Sequence, residues 1–290
     1  MNVAGTVLRV GVTLLAVAAA AVVGWQLWIY YTLSPWTRDA RVLANVVEIA
    51  PDVSGLVSKV NVVDNQRVGK GDVLFVIDQE RFQVAVQQAQ AQVELKVQAL
   101  KYAQDTAKRD VTLGQQDNEA ISIQSTERAT TSAGEAQAEL DAARAALATA
   151  QINLTRSQVR TPVDGYVTNL NIFVGNYATA GESVLALVDS DSFYVYAYFM
   201  ETKLPAIRDG DRARIELMAG GVVLDGVVEG MSRAIANTTD SRGLLADVPA
   251  EFDWIRLAQR IPVRIRIGTL PPSVELAAGM SATVVVEPKR

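Results

Sequence analysis

Hydrophobic and polar positions follow four regimes along the chain. From Val10 to Leu33 the residues are apolar with no period, and no charge falls between Arg9 and Arg38. From Ala40 to Asp78 apolar and polar residues alternate, as in VSKVNVV and VLFVI, the period of strands with one buried face. From Gln79 to Arg160 the apolar residues recur every seven positions, and Pro is absent. The period of two returns at Thr161 and continues through FYVYAYFM, ARIELM, VVLDGVVEGM, IPVRIRI and SATVVVE. Turn signals at Asp209-Gly210-Asp211, Gly220-Gly221 and Pro271-Pro272 separate these last strands, which predicts a small antiparallel barrel.

The first regime is long enough to cross a bilayer core, which needs roughly 20 apolar residues in a helix. Trp25, Trp28, Tyr30, Tyr31 and Trp36 lie at one end, as at a membrane–water interface. Arg9 and the amino terminus lie at the other and favour an inside N-terminus. A cleaved signal peptide is the rival, since Ala18 to Ala21 resemble a small-residue cleavage site. The apolar run continues well past those alanines, so an uncleaved anchor over residues 1–37 is expected. The rest of the chain then works on the far side of the membrane.

Two β segments repeat each other. APDVSGLVSKVNVVDNQRVGKGDVLFVID ends at Asp78, and TPVDGYVTNLNIFVGNYATAGESVLALVD ends at Asp189. Gly71 lies sixteen positions after Gly55, and Gly181 sixteen positions after Gly165. A proline precedes each first glycine (Pro51, Pro162), and an acidic residue follows each second one (Asp72, Glu182). Two such halves resemble the flattened sandwich of biotinyl and lipoyl carrier domains. A carrier joins its halves by a hairpin bearing a modifiable lysine. Here the first half exits as Asp78-Gln79-Glu80-Arg81, with no lysine at that tip. A membrane-tethered carrier is the alternative reading, disfavoured on that ground.

The join is the whole heptad stretch. Val86, Val93, Leu100, Ala107 and Gly114 fall seven apart, with Val97 and Val111 alongside. Ala133, Leu140, Leu147 and Leu154 do the same, with Ala136, Ala143, Ala150 and Ser157 three after each. This predicts two antiparallel helices, a rod on the order of 50 Å long. GQQDNEAIS, residues 114–122, breaks the register and marks the turn. Leu113, Ile121 and Ser122 near that tip are candidates for contact with a partner; closing the turn is their other reading.

Composition narrows the chemistry. The net charge is -5, and no basic face with interleaved aromatics offers itself to nucleic acid. The chain has neither Cys nor His. Disulfides, thiolate catalysis, the commonest zinc ligands and the commonest general base are excluded together. Asp64, Asp72, Asp164 and Glu182 sit at turns of the two halves, where carboxylates stabilise turns. Phe193, Tyr194, Tyr196, Tyr198 and Phe199 read as barrel packing rather than a ligand site. No catalytic, cofactor-binding or metal residue is expected, and the protein is read as a non-enzyme.

The order of these parts resembles the periplasmic adaptors of efflux pumps, the membrane fusion proteins of the HlyD/EmrA type, over essentially the whole chain. SPWTRDARVLANVVEIAPDVSGLV, FMETKLPAIRDGDRARIELM and FDWIRLAQRIPVRI resemble the AaeA branch, adaptors of aromatic carboxylic acid efflux pumps. The expected fold is an elongated multidomain α+β protein. It has an N-terminal transmembrane helix (1–37), a strand lead-in with a lipoyl-like first half (38–78) and an antiparallel coiled-coil hairpin (79–160). A lipoyl-like second half (161–190) and a C-terminal β-barrel (191–290) follow. The resemblance implies a single-pass inner-membrane anchor with a periplasmic body, and self-association into a ring. Its implied partners are an inner-membrane transporter of the fusaric-acid-resistance permease type and a TolC-like outer-membrane channel.

Overall fold

The structure, a computed structural model, describes residues 3–116, 122–233, 258–271 and 274–288. The chain folds as two compact units, Val46–Asp191 and Met1–Asn45 with Ser192–Arg290. In order the elements are α1 (Val3–Leu33), β1 (Trp36–Leu43), β2 (Val46–Ile49), β3 (Gly55–Val60), β4 (Arg67–Val68), β5 (Val73–Ile77), α2 (Glu80–Gln116) and α3 (Ile123–Arg156). There follow β6 (Gln158–Arg160), β7 (Gly165–Thr168), β8 (Tyr177–Ala178), β9 (Leu185–Asp189) and β10 (Tyr194–Met200). A 3-10 turn (Glu201–Ala206), β11 (Arg212–Leu217), β12 (Val223–Met231), β13 (Arg260–Ile267) and β14 (Ser281–Glu287) complete the chain.

The repeat becomes a pseudo-twofold sandwich. Two sheets, β2-β9-β7-β4 and β6-β5-β3-β8, have the same strand order under a shift of 110 residues (165 − 55, 181 − 71). The bonds that hold the halves together obey the same shift with the roles exchanged. Asp164 Oδ1 accepts the Lys70 amide at 2.8 Å, and Ser54 Oγ accepts the Ala180 amide at 2.9 Å. The Gly71 amide donates to the Thr161 carbonyl, and the Gly181 amide to the Pro51 carbonyl, each at 2.9 Å. Each half therefore closes the other half's turn, and neither is complete alone. Asp72 Oδ2 accepts the Gly69 amide at 2.8 Å and Asp64 Oδ1 the Leu170 amide at 3.3 Å. Three of the four turn carboxylates thus accept backbone N–H groups, the work expected of acids at turns. Leu74, Phe75, Ile77, Val167 and Leu187 fill the space between the sheets.

The helical hairpin leaves the sandwich where β5 ends and returns at β6. Its root is fixed by Ser157, which is fully buried. The Ser157 carbonyl accepts the Ile77 amide at 2.8 Å, and its hydroxyl accepts from Gln79 Nε2 at 2.8 Å. Phe82, at the start of α2, is buried in the sandwich core.

The second unit is a closed barrel of order β1-β10-β13-β12-β11-β14 among the described residues. Inward residues alternate along every strand: Val195, Ala197 and Phe199 on β10, Ala213, Ile215 and Leu217 on β11. The segment Ala40 to Ile49, expected to be one lead-in strand, is instead two strands of different sheets. β1 closes the barrel between β10 and β14, and β2 starts the sandwich. The change comes at Ala44-Asn45, where the Asn45 amide donates to Ser192 Oγ at 2.8 Å.

α1 takes up the residues expected to form the anchor. Among the described residues no helix is long and apolar enough to cross a membrane. The side chains described in α1 are those of residues 11–26 and Trp28. All of them are exposed.

Candidate functional site

The hairpin offers two surfaces, its tip and its outer face. Its seam is the side by which the helices hold each other. Val86, Val93, Leu100 and Ala107 on α2 and Ala133, Leu140, Leu147 and Leu154 on α3 all lie buried or half-buried, at the spacing of a coiled-coil core. Leu100, Ala107 and Leu140 are the most enclosed. Val97, expected beside the seam, is instead 39% exposed. The seam position next to it is Lys96, 31% exposed, whose ammonium meets Glu139 Oε2 across the helices at 2.7 Å. The lysine stem covers apolar seam while its charge stays at the rim.

At the tip the three sequence candidates fare differently. Leu113 is exposed in the last turns of α2, which continue to Gln116, past Gly114. Ser122 is the N-cap of α3: its backbone is extended (φ -71°, ψ 147°), and its hydroxyl accepts the Ser125 amide at 3.2 Å. It therefore has a local structural duty, satisfying one of the open N–H groups of the helix start. Ile121 lies outside the described residues. Ile123, which the sequence reading passed over, is 80% exposed at the first position of α3. The heptads carry the signal: the seam runs through Thr126 and Ala129, and seven residues before Ala129 is Ser122, which leaves Ile123 one position off the seam.

The outer face of α2 carries a second feature. Val84, Leu95, Tyr102 and Leu113 are all exposed, Tyr102 by 76%. Their spacings of 11, 7 and 11 residues each return to within about 20° of one helix direction. The direction is opposite the seam, so the hairpin leaves an apolar stripe that it does not cover itself.

In the barrel the aromatic run alternates with the pleat. Phe199 is fully buried, and Tyr194 and Tyr196 meet edge to face at 5.1 Å on the outer side. Arg264 stacks on Tyr194 at 3.9 Å and pairs with Glu229 at 2.9 Å. The tyrosines pave the outer face of the barrel wall.

Residues 45–190 match the family of the RND MFP barrel-sandwich hybrid domain, and residues 192–287 match the AAEA-like beta-barrel domain. The first match alone covers half of the chain. The protein belongs to the membrane fusion protein family. Three solved structures share the fold. The membrane fusion protein Spr0693 from Streptococcus pneumoniae R6 is 19% identical with a TM-score of 0.65, over 89% of this chain and 100% of its own. A MacA-MexA chimera with the Pseudomonas aeruginosa MexA α-hairpin domain is 19% identical with a TM-score of 0.57, over 89% and 83%. MacA from Actinobacillus actinomycetemcomitans is 18% identical with a TM-score of 0.54, over 88% and 79%.

Membrane fusion proteins are adaptors of efflux pumps rather than enzymes, which suits a surface of stripes and tips. The AaeA-type motif FMETKLPAIRDGDRARIELM falls within the AAEA-like match and forms the end of β10, the 3-10 turn and β11. Of FDWIRLAQRIPVRI, residues 252–257 lie outside the described residues, and the remainder enters β13.

Proposed function

We propose that this membrane fusion protein is the periplasmic adaptor of a tripartite efflux pump for aromatic carboxylic acids or related small molecules. α1 holds it in the inner membrane as a single span with the N-terminus inside. An inner-membrane transporter, of the fusaric-acid-resistance permease type, is one partner. A TolC-like outer-membrane channel, met through Leu113, Ile121 and Ser122, is the other. The observation that carries this reading is the sandwich opened at one turn by a long hairpin, joined to a barrel of the AAEA-like family. At 31 residues α1 is about 46 Å long, more than a bilayer core of about 30 Å. Its exposed Val12, Leu14, Leu15, Val17, Val22 and Val23 favour lipid over water. The test is export: cells lacking the protein should accumulate 4-hydroxybenzoate, and the restored chain should clear it. Unchanged efflux would remove the substrate class from the proposal.

Copies of the chain associate into a ring in this reading, and the α2 stripe supports it. An apolar stripe on a soluble helix is a liability unless another surface covers it. Leu95→Glu with Tyr102→Glu should leave the seam intact and shift the protein toward monomer, lowering self-affinity by at least ~10-fold. Sedimentation velocity of the full chain in detergent measures it. An unaltered distribution would place the ring contact elsewhere.

A further inference from the structure

Trp36 carries two cations. Lys203 Nζ lies 4.7 Å over its ring and donates to the Trp36 carbonyl at 3.1 Å. Arg38 Cζ lies 5.7 Å from the same ring. Both charges thus sit within roughly 10 Å of one another, about one Debye length at 0.1 M salt, and repel. Among the described residues, neither takes part in an ion pair. Asp39, next in sequence to Arg38, is engaged by Arg260. Glu201, at the start of the 3-10 turn, is exposed, and its amide donates to the Gln259 carbonyl. The lysine is half-buried, and burial pushes its pKa below the usual lysine value, so its charge is held at a cost that an adjacent anion would offset.

The place of the cluster says which anion. Trp36 follows Leu33, the last residue of α1, by three residues, and three extended residues reach about 10 Å at most. If α1 is the membrane anchor, this cluster sits at the level of the lipid headgroups. Indole rings prefer that level, and cations there meet phosphate. We propose that Trp36, Arg38 and Lys203 form a seat for the phosphate of an anionic phospholipid, fixing the barrel against the membrane surface. The 3-10 turn brings Lys203 to the start of β1, so a segment distant in sequence joins the juxtamembrane residues at one lipid. This inference rests on the anchor reading of α1.

The test uses the full chain in neutral detergent micelles, with phosphatidylglycerol, phosphatidylcholine or inorganic phosphate added. Phosphatidylglycerol should raise the Tm of the barrel by ~2–4 °C over phosphatidylcholine, and phosphate alone should not. The shift should vanish in Arg38→Gln/Lys203→Gln and persist in Arg38→Lys/Lys203→Arg, which keeps both charges. Near-UV circular dichroism establishes that each variant is folded. A phosphatidylglycerol shift that survives in the Gln pair overturns the site. An equal shift with inorganic phosphate makes it a free-anion site and overturns the lipid assignment. Flotation with phosphatidylcholine vesicles separates the two readings. A protein that floats yet shows no phosphatidylglycerol shift loses only the headgroup seat; one that does not float loses the anchor and the seat together.

Discussion

A protein whose residues 114–122 are replaced by an unrelated turn of equal length is expected to fold, reach the membrane and export nothing. The seam that holds the hairpin lies away from the tip: Leu100, Ala107 and Leu140 are enclosed well below it, and the root is fixed at Ser157 and Phe82. Exchanging the turn therefore costs the fold little beyond the α3 cap, about 1 kcal/mol. Docking by contrast concentrates in a few residues, and losing a contact worth about 2 kcal/mol weakens binding by roughly 30-fold. Single substitutions divide the two roles. Leu113→Asp places a charge on an exposed position and should cut export at least ~10-fold with an unchanged melting curve. Ser122→Asp keeps a good N-cap, while Ser122→Ala removes it. If Ser122 only caps α3, Ser122→Asp exports normally. Efflux assays beside circular dichroism decide it, and normal export from the exchanged turn would end the tip-docking idea.

Much of this architecture was legible because two of its devices repeat. The glycines at 55, 71, 165 and 181 are needed twice, once per half, so their spacing exposes the sandwich even with the hairpin between the halves. The heptads expose the hairpin because each helix must offer one unbroken seam. Three features escaped for physical reasons. β1 and β2 are divided at Ala44-Asn45 without a Gly or Pro, so one alternating run conceals strands of two sheets. Just before the run, β1 has a bulge between Thr37 and Ala40, which shifts the inward phase ahead of Ala40. Val97 looked like the seam residue on hydrophobicity, but geometry assigns the place to Lys96, whose stem serves as apolar surface and whose charge finds Glu139. The Trp36 cluster joins residues 167 apart, and no local pattern announces a cation arriving from another strand connection. At the tip, Leu113 is exposed, Ser122 acts as a cap, and Ile123 stands exposed where its apolar side chain resembles a seam residue.

The pseudo-twofold also makes a sharp prediction about two equivalent glycines. Gly165→Ala should destabilise the sandwich by roughly 3 kcal/mol, and Gly55→Ala by less, about 2 kcal/mol. A methyl at Gly165 would stand 2.2 Å from the Val188 carbonyl oxygen, 3.0 Å from the Val188 carbonyl carbon and 3.3 Å from the Asp189 Cα. All three are backbone atoms of β9, to which β7 is paired at Gly165↔Asp189 and Tyr166↔Val188. Relief requires the strands to part, and parting them disturbs Asp164, whose carboxylate holds the Lys70 turn of the other half. At Gly55 a methyl would meet only Ile77 Cγ2, at 2.6 Å. That methyl is bonded to Cβ of a fully buried, β-branched residue, so it yields only by a strained χ1 or a small shift of Ile77, for about 2 kcal/mol, without parting the strands. The four tryptophans all lie in the barrel unit by sequence, while the sandwich unit holds the hairpin and none of them. α2 and α3 together hold more helix than α1, so the larger step in helical circular dichroism of the full chain reports the sandwich with its hairpin, and tryptophan fluorescence reports the other unit. Gly165→Ala should lower the first transition by ~6–12 °C and leave the second in place. Equal losses at the two glycines would mean that strand spacing, rather than the atom each methyl meets, sets the cost.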